Sequence, residues 1–193
     1  MFFKDKRKKI TAFSKLALLV TISLAWLISC CRTDTLQTKA IPVAPSYIQS
    51  YFSPNGGCTE AIITEIKQAK ECILVQAYSF TSEPIASALI DAYKRGGKVE
   101  IIVDKSQENG KGSKADVVSK AGIPTFIDSK HAIAHNKIIL IDHKVIITGS
   151  FNFTANAEER NAENLLVIKG NPELLSKYEL NYTNCKEHSV TIN

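Results

Sequence analysis

Residues 135 to 152 read HNKIILIDHKVIITGSFN, two apolar runs rich in β-branched residues around a polar Asp142-His143-Lys144 break. Runs of this composition prefer the pleated surface of a sheet, and the short polar break is turn chemistry, so Asn136 to Ile141 and Val145 to Thr148 are predicted to form a hairpin. Both runs are apolar at nearly every position, without alternation. Long apolar strands of this kind, alternating with helices, point to an α/β layered fold containing a mixed sheet.

Working back from the hairpin, the expected elements alternate. Pro124 to Ile127 reads as a short edge strand, preceded by a helix over Lys114 to Lys120 that stops at Gly122. Lys105 to Ser113 is a polar loop, and Val99 to Val103 a buried strand. Ser82 caps a helix with Pro84 in its first turn and Gly96-Gly97 at its end. Cys72 to Phe80 is a strand, and Ile62, Ile63 and Ile66 make one face of a helix over Thr59 to Ala69. Beyond the hairpin come a strand at Asn164 to Ile168 and a helix from Pro172. The fold class expected is α/β, a mixed β-sheet layered with helices.

Of 24 basic and 19 acidic residues, six and one lie in residues 1–29, leaving 18 of each elsewhere. The net charge of +5 therefore belongs to that segment and is no argument for nucleic-acid binding. There a basic start precedes an apolar run from Leu16 to Ile28, shorter than the about 20 residues of a spanning helix, so a signal peptide over 1–29 is favoured over an uncleaved anchor. Leu27-Ile28-Ser29-Cys30 also fits a lipobox, which would acylate Cys30; a plain signal-peptidase cut fits equally. The expected location is periplasmic or secreted, with membrane attachment if Cys30 is lipidated. Residues 30–46 read as a linker and 47–193 as the folded domain. Among the cysteines, Cys72 reads as a buried small hydrophobe, leaving Cys58 and Cys185 as a pair that an exported chain could oxidise.

Chemistry concentrates on the quoted stretch. With a period of two, His135 and Lys137 project from one face, a nucleophilic imidazole beside a fixed ammonium, which suits a phosphate anion. Ser150 and Asn152 are likewise two apart and follow a neighbouring strand, so their polar groups can converge on the same phosphate oxygens. Asp142 falls on the opposite face and reads as a residue that orients the turn. No cluster of carboxylates or histidines at ligand spacing surrounds the motif, so no metal or other cofactor is expected; His131, leading into a strand, is given a structural or rim role.

The spacing His-x-Lys-x4-Asp-x6-Gly-Ser-x-Asn over His135, Lys137, Asp142, Gly149, Ser150 and Asn152 resembles the defining motif of the phospholipase D superfamily. Phe52-Ser53-Pro54, Ala77-Tyr78-Ser79-Phe80-Thr81-Ser82, Gly122-Ile123-Pro124 and Arg160-Asn161-Ala162-Glu163-Asn164 extend the likeness to its small, single-motif bacterial branch of endonucleases and secreted phospholipases. The resemblance implies a phospholipase D-like catalytic domain over 47–193 that hydrolyses phosphodiesters without a metal. His135 would be the covalent nucleophile, Lys137, Asp142 and Glu163 the other catalytic residues, and Glu163 would hydrogen-bond the histidine. Lys137, Ser150 and Asn152 would bind the phosphate.

The family mechanism uses two motif histidines, and this chain has one motif, so a homodimer is implied. For substrate, an endonuclease on DNA or RNA is favoured, with Lys94, Arg95, Lys98, Lys105, Lys111 and Lys114 as its basic patch. A phospholipase D releasing phosphatidic acid is the alternative, and a noncatalytic envelope-binding protein comes third.

Overall fold

The computed structural model describes residues 47–192, so the signal segment 1–29, the whole 30–46 linker with Cys30, and Asn193 lie outside the described residues. Eight strands form one sheet. In chain order the elements are β1 (Tyr47–Phe52), α1 (Cys58–Gln68), β2 (Cys72–Ala77), α2 (Glu83–Lys94), β3 (Lys98–Asp104), α3 (Ala115–Lys120) and β4 (Thr125–Asp128). There follow β5 (Lys137–Ile141), β6 (Val145–Gly149), α4 (Ala155–Glu159), β7 (Asn164–Lys169), α5 (Pro172–Glu187) and β8 (Val190–Thr191). Across the sheet the order is β1-β7-β6-β5-β2-β3-β4-β8. The β2–β3 and β3–β4 pairs are parallel and the others antiparallel, the mixed sheet expected.

The unbroken apolar character of β5 is explained by its place between β2 and β6. Ile139 and Ile141 enter a core shared with α1, α2 and α3, whereas Ile138 and Leu140 enter a second core closed by Leu175, Tyr182 and Cys185 of α5. Alternate residues of one strand thus serve opposite faces. Cys58 belongs to the first core and Cys185 to the second, and both are free thiols. The sheet lies between them, so the expected pairing does not form.

Local chemistry sets the boundaries. The Ser82 hydroxyl accepts from the Ile85 amide at 3.5 Å, with Pro84 in the first turn of α2. Asn171 caps α5 in the same way, accepting from Leu174 at 3.0 Å. Three elements were not expected from sequence: β1, whose side chains are mostly exposed, the five-residue α4, and the two-residue β8. Because β8 pairs with β4, that strand is flanked on both sides and is not the predicted edge.

The hairpin turn carries the motif aspartate. Asp142 and His143 both sit at positive φ, 51° and 53°, the twist a tight hairpin needs, and the Lys144 amide donates to the Ile141 carbonyl at 2.9 Å. The Asp142 carboxylate accepts from the amides of Lys70 and Glu71, each at 2.8 Å, and of Cys72 at 3.0 Å. It therefore clamps the chain entering β2. Burial opposes the charge, but these amide donors outweigh it and hold the carboxyl below its ordinary value.

Asp142→Ala is expected to lower stability by about 1–2 kcal/mol at neutral pH, since two of the three lost hydrogen bonds are solvent-exposed. A depressed carboxyl stabilises above its unfolded pKa of about 3.9 and loses that effect as pH falls through the folded value. Urea melts should accordingly show the gap between variant and wild type closing on acidification.

Candidate active site

Seven residues of extended chain separate His135 from Asp142, roughly 23 Å at the rise of a strand. The motif histidine lies beyond the β2 end of the β2–β5 pair, where Ala77 faces Lys137, and Asp142 lies at the opposite end, beside Cys72. Asp142 is consequently not brought together with the other catalytic candidates, in keeping with its expected role in the turn.

His135 precedes β5 and is exposed, but the backbone around it is fixed on several sides. The Ala134 amide donates to Asp104 Oδ2 at 2.7 Å, and the Tyr78 amide donates to the Asn136 carbonyl at 2.8 Å. The Tyr78 ring lies 4.4 Å from the imidazole, centroid to centroid, at a tilted 49°. Asp104 is buried; burial resists its ionisation, yet donors from Ser106 and Ala134 keep its carboxyl below the ordinary value. Asp104 is a positioning residue that sequence reasoning missed. Its signal was a lone acid at the end of a buried strand.

Lys137 opens β5 and is only 6% exposed, far less than a lysine usually is. Its ammonium donates to the His135 carbonyl at 2.8 Å and sits 4.8 Å above the centre of the Tyr78 ring. Burial lowers its pKa, partly offset by the charge of Glu163. A poorly solvated ammonium with one neutral acceptor has unspent capacity for an anion.

The remaining candidates gather around β7. The Ser150 amide donates to Asn164 Oδ1 at 2.9 Å, and the Ser150 hydroxyl accepts from the Asn164 amide at 3.0 Å. This clasp leaves the hydroxyl proton of Ser150 available. Asn152 Oδ1 is buried without a hydrogen-bond partner among the described residues. Gly149 is required by close approach, because a Cβ there would meet the Asn164 carbonyl oxygen at 2.2 Å.

Glu163 accepts from Asn161 Nδ2 at 3.2 Å, whereas the hydrogen bond to His135 that the resemblance implied is not formed in the single chain. Ser53, the residue after β1, holds this segment: its hydroxyl donates to the Asn161 carbonyl at 2.9 Å and accepts from the Glu163 amide at 3.1 Å.

A cleft of about 370 Å³ opens over the motif, lined by His135, Lys137, Thr148 and Gly149 on one side and by Lys177, Tyr178 and Asn181 of α5 on the other. The α5 residues were not singled out from sequence, since they belong to a helix face with no motif. The expected basic patch is divided. Lys98 pairs with Cys72 at the Asp142 end of the sheet, with Lys94 and Arg95 immediately before it at the end of α2. At the other end, Lys105 donates to the His131 carbonyl at 3.3 Å and Lys114 pairs with Glu83.

A family model described as cardiolipin synthase, PLD-like domain, matches residues 62–185. A phospholipase D of Rickettsia felis is 45% identical over 141 residues, 73% of this chain and 70% of its own length. The mitochondrial cardiolipin hydrolase of Mus musculus is 27% identical over 139 residues, 72% of this chain and 63% of its own. Among solved structures, Nuc, a phospholipase D family member from Salmonella typhimurium, superposes with a TM-score of 0.73 at 34% identity, covering 77% of this chain and 99% of Nuc. NucT from Helicobacter pylori gives 0.70 at 27% identity, covering 77% and 100%.

Replacing the buried ammonium with an apolar chain separates its electrostatic from its packing role. Lys137→Met should weaken inorganic phosphate binding by roughly 10–100-fold, the loss of one charge-assisted hydrogen bond. Its unfolding midpoint should stay level or rise, because a buried charge that is only partly compensated is removed. Isothermal titration with phosphate and a thermal melt check the two halves.

Proposed function

This chain belongs to the phospholipase D superfamily and is a phosphodiesterase of that family, and from this premise we propose that it hydrolyses phospholipids through a covalent phosphohistidine at His135 within a homodimer. The observation that carries the reading is the pairing of an exposed imidazole with the buried Lys137 ammonium in one open cleft. A neutral His135 nitrogen attacks phosphorus, forming the N–P bond while the bond from phosphorus to the leaving alcohol oxygen breaks. Lys137 balances charge on the non-bridging oxygens, helped by the Ser150 proton and the Asn152 amide. The leaving oxygen takes its proton from the partner's His135. That imidazole, now neutral, removes a proton from water, and the resulting hydroxide displaces the histidine to release the phosphomonoester. No step needs a metal at phosphorus.

Two considerations support a second copy. The chain has one motif where this scheme uses two imidazoles, and apolar side chains next in sequence to the cleft segments are exposed, Ile133 at 59% and Leu180 at 62%. Exposed apolar side chains of this kind also favour an amphiphilic substrate. The sequence favours an endonuclease; division of its basic patch between opposite ends of the sheet weighs against a continuous track for a polyanion and supports the lipid reading instead. Relatives named phospholipase D and cardiolipin hydrolase point the same way. Nucleic acid remains the second reading, supported by Lys177 in the cleft wall and by Lys105 at the motif end. Acylation of Cys30 would hold the exported enzyme against its substrate, and labelling with a radioactive fatty acid tests that attachment.

His135→Ala should abolish turnover while the fold survives, as judged by an unchanged thermal melt. Phosphatidylcholine vesicles, single-stranded DNA and duplex DNA offered in parallel order the substrates: lipid cleavage alone supports the proposal, and cleavage of nucleic acid alone reverses it. Unfolding and refolding wild type with an equal amount of His135→Ala should leave about half the activity of the same wild type alone, because random pairing makes heterodimers. Undiminished activity would mean that each chain is complete by itself.

A further inference from the structure

The four groups of interest lie outside the catalytic motif. Asp128 ends β4 and is 1% exposed, His131 follows three residues later, and Cys185 and His188 are three apart at the end of α5. One ligand-capable atom from each comes within 4.8 Å of every other. Asp128 Oδ1 is occupied by the amides of Lys130 at 3.1 Å and His131 at 3.2 Å, which turns Oδ2 towards the rings. His131 Nδ1 lies 2.8 Å from Oδ2 and His188 Nε2 lies 3.3 Å from it. The latter nitrogen is buried and, apart from this 3.3 Å approach to Oδ2, has no partner among the described residues. The imidazoles meet edge to face with centroids 5.1 Å apart.

We propose that Asp128, His131, Cys185 and His188 form a binding site for one thiophilic divalent transition-metal ion of the zinc class. One thiol, two imidazoles and one carboxylate are a zinc donor set, too soft for calcium or magnesium. Tetrahedral zinc with these donors has ligand-to-ligand edges of roughly 3.3–3.7 Å. The cluster reaches that geometry by opening the 2.8 Å contact and drawing in the longer ones, and His131, half exposed on a loop, has the freedom to move. The amides on Oδ1 act as the outer hydrogen bonds that orient a ligating carboxylate. A cavity of about 500 Å³, lined in part by His131, Cys185 and His188, gives the ion a path in.

The position suggests what the ion does. It would tie the segment four residues before His135 to α5, and Asn181 of that helix lines both this cavity and the catalytic cleft. It is a cross-link holding the cleft wall to the nucleophile's loop. His135 is not among its ligands.

The test is a titration of the metal-free full chain in detergent with Co(II), read by absorption. Expected are one equivalent bound, a thiolate-to-cobalt charge-transfer band with tetrahedral ligand-field bands, displacement by Zn(II), and a higher thermal midpoint with metal than without. Cys185→Ser should lose the charge-transfer band, and Cys72→Ser should keep it. If Cys185→Ser folds poorly, His131→Ala replaces an exposed side chain and should bind Co(II) roughly 10–100-fold more weakly. Absence of the band in wild type, its survival in Cys185→Ser, or equal affinity in wild type and His131→Ala would overturn the site.

Discussion

The candidate cleft is organised around one ammonium placed where water hardly reaches it. Lys137 is the first residue of a strand buried throughout, and its neighbours in the sheet are Ala77 on β2 and, just beyond, the start of the β5–β6 pairing at Ile138 and Thr148. Such a cation is costly unless something compensates it. The protein supplies a backbone carbonyl, an aromatic face and the more distant charge of Glu163, each weaker than a directly paired carboxylate. That shortfall is what an incoming phosphate would make good. The cost of the arrangement is met elsewhere, by two isoleucine-rich cores on either face of the same strand.

The surrounding residues divide into those that face the cleft and those that hold the chain in place. Asp104, Ser53, Asn164 and Asp142 all use side-chain polar groups to fix backbone amides, at the His135 loop, the Glu163 segment, the β6 exit and the β2 entrance respectively. Asp104 and Asp142 are both carboxylates whose amide partners lower their pKa, so they anchor the structure by the same physics at opposite ends of the sheet. A motif read as a string of catalytic letters therefore contains a turn clamp in Asp142 and a packing glycine in Gly149.

Much of this was legible in the sequence because it depends on local order. The hairpin, the Ser82 cap, the shared face of His135 and Lys137, and the mixed α/β sheet all follow from spacing along the chain. What escaped depends on strand order. β1 looks like a continuation of the linker because it pairs at a sheet edge with little burial. Cys58 and Cys185 look like partners until the sheet is placed between them. The six basic residues are near one another in sequence, but Lys98 opens β3 and Lys105 follows its last residue, so the length of the strand puts them at opposite ends of the sheet. The Asp128, His131, Cys185 and His188 grouping is hidden similarly, as two pairs brought together only because β8 returns the chain from α5 to β4. Neither pair belongs to the motif.

The central claim is that His135 carries the phosphoryl group during turnover. Its most direct measurement is acid-avoiding peptide mapping by mass spectrometry after rapid quenching of wild-type enzyme with substrate. The account predicts a phosphorus–nitrogen adduct on the peptide containing His135 that forms and decays at rates consistent with turnover. Full turnover with the adduct on another residue, or with none at any quench time, would contradict it.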